Sequence, residues 1–210
     1  MSIKQNLKKI QSELPEDVTL VAVSKTKPIN DLMEAYNAGQ RIFGENKIQE
    51  AISKWKNFKN NFENVKLHMI GKIQSNKVKF LIPLFDYLHS LDNIKLAEKI
   101  SKEQIKLKKR IKIFIQVNIG NEIQKNGIQP EEVENFYKIC VNNLDLDIIG
   151  LMCLPPKNKD VRPFFKKMKE LNDHLGLKEL SIGMSSDYLD AIEFGASFIR
   201  IGSKIFGYRN

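Results

Sequence analysis

The sequence predicts an α/β fold for residues 1–210: a single (β/α)8 TIM-type barrel with an extra N-terminal helix. Three observations lead there. A short β-rich run followed by an amphipathic stretch returns along the whole chain, which means parallel βαβ units. Nearly every run is apolar on both faces, as a barrel wall between a core and a ring of helices must be. No G-x-G-x-x-G or G-x-x-x-x-G-K-[ST] opens a helix, so an open nucleotide-binding sheet loses its support.

Residues 2–13 read as an opening helix stopped by Pro15, placed to cover the barrel beside the last strand. The strand candidates follow as LVAVS (20–24), RIFGE (41–45), LHMIG (67–71), DYLHS (86–90), IKIFIQVN (111–118), DIIGLMCL (147–154), LSIGMS (180–185) and SFIRIG (197–202). Between them, apolar side chains recur at helical spacing. Ile29, Leu32, Met33 and Tyr36 make one stripe, closed by Gly39. Ile48, Ala51, Ile52 and Trp55 make the next, then Val78, Leu81, Ile82 and Phe85, and later Val133, Phe136, Tyr137 and Cys140. These are core positions. Only seven residues follow Ser203, too few for a full eighth helix.

The totals fit one well-filled core and no domain linker. No apolar run approaches a membrane span, and the N-terminus lacks the apolar core of a signal peptide. Two cysteines, Cys140 and Cys153, stand far apart without metal-ligand spacing, so a reduced, cytoplasmic chain is expected, with no metal. The net charge of +9 raises nucleic acid as a partner. Its make-up argues against that: only five of the 34 basic residues are arginine, and the lysines are dispersed. A solvated lysine-rich surface is the expectation, with no nucleic-acid partner.

Barrel enzymes and binders work at the C-terminal ends of their strands. Here those ends are polar: Ser24 and Lys25, Glu45 and Asn46, His89 with Ser90 and Asp92, Gln116 and Asn118, Ser185 to Asp187, and Arg200 with Gly202 and Ser203. Strand parity sorts them. Val21, Val23 and Lys25 share a face, and Phe198 and Arg200 share the face opposite Ile199 and Ile201, which puts Arg200 inside the barrel. A buried guanidinium needs an acceptor or an anion, so an internal ion pair is one reading of it. The other is a ligand. The hydroxyls and glycine N–H groups of GMSSD and IGSK suit a phosphate dianion, and barrel closure would set Lys25 beside them. A desolvated lysine amine is a nucleophile toward carbonyls. Lysine plus phosphate grip leaves two candidates, pyridoxal phosphate and a sugar phosphate handled through a Schiff base. His174 reads as a surface residue; His68 fits a buried hydrogen-bonded ring as well as a functional one.

The ordered set AVSKTKP, FGENKIQE, HMIGKIQSNK, HSLDN, QVNIGNEIQKNG, GLMCLPP, LSIGMSSDYLDAI and IRIGSKIFGYR resembles the pyridoxal-phosphate homeostasis protein family, single-domain relatives of the alanine racemase N-terminal barrel. The resemblance implies pyridoxal 5'-phosphate as cofactor. It implies that Lys25 forms the aldimine, that Ser185, Gly202 and Ser203 hold the phosphate, and that Arg200 faces the pyridine nitrogen. Asn46 falls in a motif near the cofactor. An arginine at that nitrogen makes the ring a weak electron sink. A racemase further needs an acid–base group on the opposite face, which in alanine racemase the resemblance assigns to an additional β domain. The expectation is therefore a non-catalytic carrier serving vitamin B6 homeostasis, a monomer or weak dimer, with apo pyridoxal-phosphate enzymes as recipients. A small racemase of the same fold is the alternative.

Overall fold

The computed structural model describes residues 2–207, and the side chains of these except at 57, 60 and 61. Eight parallel strands close into a barrel in chain order. They are β1 (Thr19–Val23), β2 (Ile42–Glu45), β3 (Lys66–Met69), β4 (Tyr87–Leu91), β5 (Lys112–Val117), β6 (Ile148–Cys153), β7 (Glu179–Met184) and β8 (Phe198–Ile201). Each falls on a predicted run. The helices are α1 (Ile3–Ser12), α2 (Ile29–Asn37), α3 (Ile48–Asn61), α4 (Val78–Leu84), α5 (Ile94–Leu107), α6 (Val133–Lys138), α7 (Arg162–His174), α8 (Tyr188–Glu193) and the single turn α9 (Ser203–Phe206).

Local chemistry sets the helix ends. Ser2 and Gln5 cap α1 reciprocally, with Gln5 N–H donating to Ser2 Oγ at 3.2 Å and Ser2 N–H to Gln5 Oε1 at 3.0 Å. Gly39, at φ 100°, ends α2 in a conformation that favours glycine. The opening helix does cover the short last turn: α1 buries Leu7 and Ile10, and Asn6 Nδ2 donates to the Ile205 carbonyl at 2.9 Å.

The main core lies between the outer face of the barrel and the helices, where Ala51, Trp55, Val78, Leu81, Ile82, Phe85 and Phe165 are fully buried. The α2 stripe needs correction. Leu32 and Ala35 are buried, but Ile29 and Met33 are 41% and 38% exposed. Helical spacing identifies a face, and its edge residues are decided by how wide a strip the neighbouring helices cover. Cys140 and Cys153 are both free and buried, and burial pushes their thiols up to about 12. Among the described residues, no helix is long and apolar enough to cross a membrane.

A second, smaller core fills the barrel itself: Val21, Phe114, Met152 and Phe198, with Tyr87 and two histidines. His68 stacks on Tyr87 at 4.0 Å and His89 on Phe114 at 4.4 Å. Both rings are fully buried, and the desolvation this brings holds His68 down at about 3 and His89 well below its usual value. His68 therefore proves to be a neutral ring inside the barrel, with its Nδ1 2.9 Å from His89 Nε2. In the unfolded chain such rings protonate near pH 6.5, so the unfolded state takes up protons first as pH falls. Each ring then removes stability at up to about 1.4 kcal/mol per pH unit, and the pair at about 2.7. The unfolding free energy, measured by urea denaturation, should fall steadily from pH 6.5 to 5. A slope of half that size would mean that one ring is protonated inside the barrel, and a flat profile that both are.

Candidate functional site

Parallel strands put all their C-terminal ends on one rim, and a cavity of about 950 Å³ opens there. Lys25, Asn46, Ser185, Arg200, Gly202 and Ser203 all line it. They arrive from β1, β2, β7 and β8, which closure of the barrel makes neighbours. The pairing of β1 with β8 sets Val21 beside Arg200 and Ala22 beside Ile201. Lys25 thus leaves β1 next to Gly202 and Ser203.

The β7 end depends on a bulge. Ser181 pairs with Phe198, but Met184 pairs with Arg200, so β7 spends one extra residue against β8. Gly183, at φ 88°, absorbs the turn, and a Cβ there would strike Ala191 Cβ at 2.6 Å. The shift brings Met184 and Ser185 to the cavity in succession. Ser185 Oγ then accepts from the Gly202 N–H at 3.3 Å, tying the β7 and β8 ends together. Asn46 is held differently. Its backbone passes so close to Gly71 that a Cβ there would lie 2.7 Å from Asn46 Cα.

Arg200 is inside the barrel, as strand parity requires, and 4% exposed. The internal ion pair is not what holds it: among the described residues no carboxylate lies in salt-bridge range of Arg200. Its Nη1 donates to the Ser181 carbonyl at 2.8 Å and to Ser181 Oγ at 2.5 Å, and its Nη2 to the Cys153 carbonyl at 3.0 Å. Burial lowers the guanidinium to about 10, which leaves it cationic at neutral pH. A guanidinium can only donate, so Ser181 Oγ accepts from it and has its own hydrogen to give to His89 Nδ1, 2.8 Å away. His89, being neutral, then carries its proton on Nε2, toward His68 Nδ1. One line of hydrogen bonds runs from the barrel floor to the cavity. Residue spacing carries no sign of it, because the four residues come from β3, β4, β7 and β8.

Other polar strand ends do not reach the cavity. Ser24 and Glu45 are fully buried on the outward face, where Ser24 Oγ donates to Glu45 Oε1 at 2.7 Å. His89 lies below the cavity, in the barrel interior. Ser90 Oγ donates to the Gly71 carbonyl at 2.7 Å, and Gln116 and Asn118 bond the loop that follows β5. These residues hold loops, the common duty of polar groups at strand ends. His174 is on the surface, 3.4 Å from Glu134. Sequence reasoning missed Lys27 and Lys204, which line the cavity beside Lys25, and the apolar wall of Val23, Ile70, Leu154 and Met184. Lys27 Nζ donates to the Phe206 carbonyl at 2.9 Å, and Lys204 Nζ lies 4.6 Å from the centre of the Tyr188 ring. Tyr208 and Arg209 of the last motif lie outside the described residues.

The ionisable lining among the described residues is therefore wholly basic, and three serine hydroxyls and an apolar wall complete the cavity. Such a site suits a flat, partly apolar anion. The family model for the alanine racemase N-terminal domain matches residues 1–210. The pyridoxal phosphate homeostasis protein of Pasteurella multocida (strain Pm70) is 36% identical, with 100% of this chain and 99% of that protein covered. The structure of PipY of Synechococcus elongatus PCC7942 with PLP bound is similar at a TM-score of 0.91 and 33% identity, covering 98% of this chain and 100% of that one. Alanine racemase of Clostridium difficile 630 shares the fold at a TM-score of 0.79 and 16% identity, over 99% of this chain and 57% of that one. A barrel whose whole sequence is matched by the family model and by a curated relative, with a basic cavity at the strand ends, belongs to the pyridoxal phosphate homeostasis protein family.

Proposed function

We propose that this chain binds pyridoxal 5'-phosphate, holds it through Lys25, and serves as a carrier in cofactor homeostasis without turnover of its own. The observation that carries the reading is that Lys25, Arg200, Ser185, Gly202 and Ser203 line one cavity. The relatives' names and the PLP-bound PipY structure support it.

The residues fit the group. Its phosphate is a dianion, and the cavity offers Ser185, Ser203, the N–H groups that open α9, and the charges of Lys27 and Lys204. Its ring is flat and apolar on both faces, and Val23, Ile70, Leu154 and Met184 give it a wall. When bound, the cofactor supplies an aldehyde that a primary amine can condense with and a ring that draws electrons. Lys25 provides the amine. Arg200, fixed from below by Ser181 and Cys153, would be the group to meet the ring nitrogen, and as a donor it would leave that nitrogen unprotonated. Asn46 lines the same cavity from the β2 side. The chain acts as one domain over residues 1–210, as a monomer or weak dimer, and hands the cofactor to apo pyridoxal-phosphate enzymes.

Three outcomes test this. The purified protein should be yellow, and borohydride should fix one cofactor to the peptide containing Lys25. An adduct found mainly on Lys27 or Lys204 by mass spectrometry would refute the assignment. The loaded protein, as a carrier, should leave alanine and other common amino acids unracemised and untransaminated. A turnover near 1 per second, ordinary for enzymes, would replace the carrier with a catalyst. The last outcome concerns the phosphate. A hydrogen bond to a charged group contributes about 1.5–3 kcal/mol, so Ser185→Ala should weaken pyridoxal phosphate about 10- to 150-fold and leave pyridoxal nearly unchanged. If the unmutated protein binds pyridoxal and its phosphate equally in a spectrophotometric titration, the phosphate grip is wrong.

A further inference from the structure

We propose that Glu50 and Lys54 of α3 are positioning residues for Lys25: from outside the barrel they clamp the backbone on both sides of it. The inference rests on the assignment of Lys25 as the cofactor-linked residue. Neither Glu50 nor Lys54 lines the cavity.

Lys25 lies beyond the last residue of β1, so the strand ladder does not fix it. Its neighbours are fixed instead. The Ser24 carbonyl accepts from Lys54 Nζ at 2.8 Å, and its hydroxyl donates to Glu45 Oε1. On the other side, the Thr26 N–H donates to Glu50 Oε1 at 2.5 Å. Thr26 stands at φ 64°, a conformation costly for a β-branched residue, which persists only where its surroundings impose it. Lys54 Nζ joins the two halves, 2.7 Å from Glu45 Oε1 and 2.8 Å from Glu50 Oε1. Trp55 Nε1 donates to the same Glu45 oxygen at 2.9 Å. Glu45 is fully buried, so Lys54 also supplies the charge that makes its carboxylate tolerable. For Glu50, burial works against ionisation, but Lys54 and the Thr26 N–H outweigh it and hold the carboxyl below its usual range.

The consequence is orientational. An amine condenses with an aldehyde only when the two are held in line, and a fixed backbone narrows the arc that the Lys25 side chain can sweep. Loosening the turn spreads that arc and lowers the effective concentration of the amine, while the phosphate and ring contacts stay as they are.

That separation defines the experiment. Affinities for pyridoxal phosphate, by absorbance, and for pyridoxine phosphate, which carries an alcohol in place of the aldehyde, by calorimetry, are measured for the unmutated protein, Glu50→Ala, Glu50→Gln and Lys54→Met. Glu50→Ala should bind pyridoxal phosphate about tenfold more weakly, with pyridoxine phosphate changed by less than about twofold. Glu50→Gln keeps an oxygen for the Thr26 N–H and should stay close to the unmutated protein. Lys54→Met should follow Glu50→Ala; if stranding the Glu45 charge prevents folding, Glu50→Ala, whose wild-type side chain is 24% exposed, carries the test. Equal weakening of both ligands would mark the network as merely structural, and unchanged affinities would remove it altogether. A missing Lys25 adduct in the unmutated protein overturns the underlying assignment as well, whereas an intact adduct with an indifferent Glu50→Ala overturns the clamp alone.

Discussion

Thr19 to Ala22 lie beside Phe198 to Ile201, and this pairing of the first strand with the last joins segments that are far apart in the chain. Without it the sheet would have two open edges, and Lys25 would lie at one edge while Gly202 and Ser203 lay at the other. With it, every strand is hydrogen-bonded on both sides. Since all strands run the same way, their C-terminal ends share a rim. Alternate residues must also enter a narrow interior, and Arg200 is one of them.

A cation in that interior is the second constraint. Two carbonyls and a hydroxyl accept from its Nη1 and Nη2, so it is held in place without its charge being cancelled. The floor beneath it is accordingly made of neutral groups: two uncharged histidines, Tyr87, Phe114 and Phe198. A neutral floor avoids adding like charge in a medium of low dielectric. With Lys25, Lys27 and Lys204 above it, the rim becomes a place where an anion is favoured. The net charge of the chain contributes little to this. The site draws on a few cations whose positions are fixed by the fold, and the many surface lysines are spread elsewhere.

The polar groups at the strand ends divide by direction. Those pointing inward meet the cavity, and those pointing outward meet the helices. Ser24 and Lys25 are adjacent in sequence yet belong to different layers, the first bonded to Glu45 behind the wall and the second lining the cavity. Buried ion pairs such as Lys54 with Glu45 offer weak evidence of stability in general. Their placement beside Lys25 makes them more informative as devices for orientation.

The sequence by itself determined the eight strands, the helices between them, the covering role of α1 and the inward direction of Arg200. Those follow from periodicities of two and 3.6 residues, which are local and survive without knowledge of neighbours. It also carried Lys25, Ser185 and Gly202 to one rim, because parallel strands leave no other arrangement. Tertiary structure alone decided which acceptors satisfy Arg200, that His68 and His89 connect it to the floor, and that Glu45 faces α3. It also decided the exposure of Ile29 and Met33, and the bulge at Gly183 that aims Met184 and Ser185. Each of these depends on which distant segments come together, as hydrogen-bond partners within about 3 Å or as packing neighbours. Such a partner is chosen only when the barrel closes.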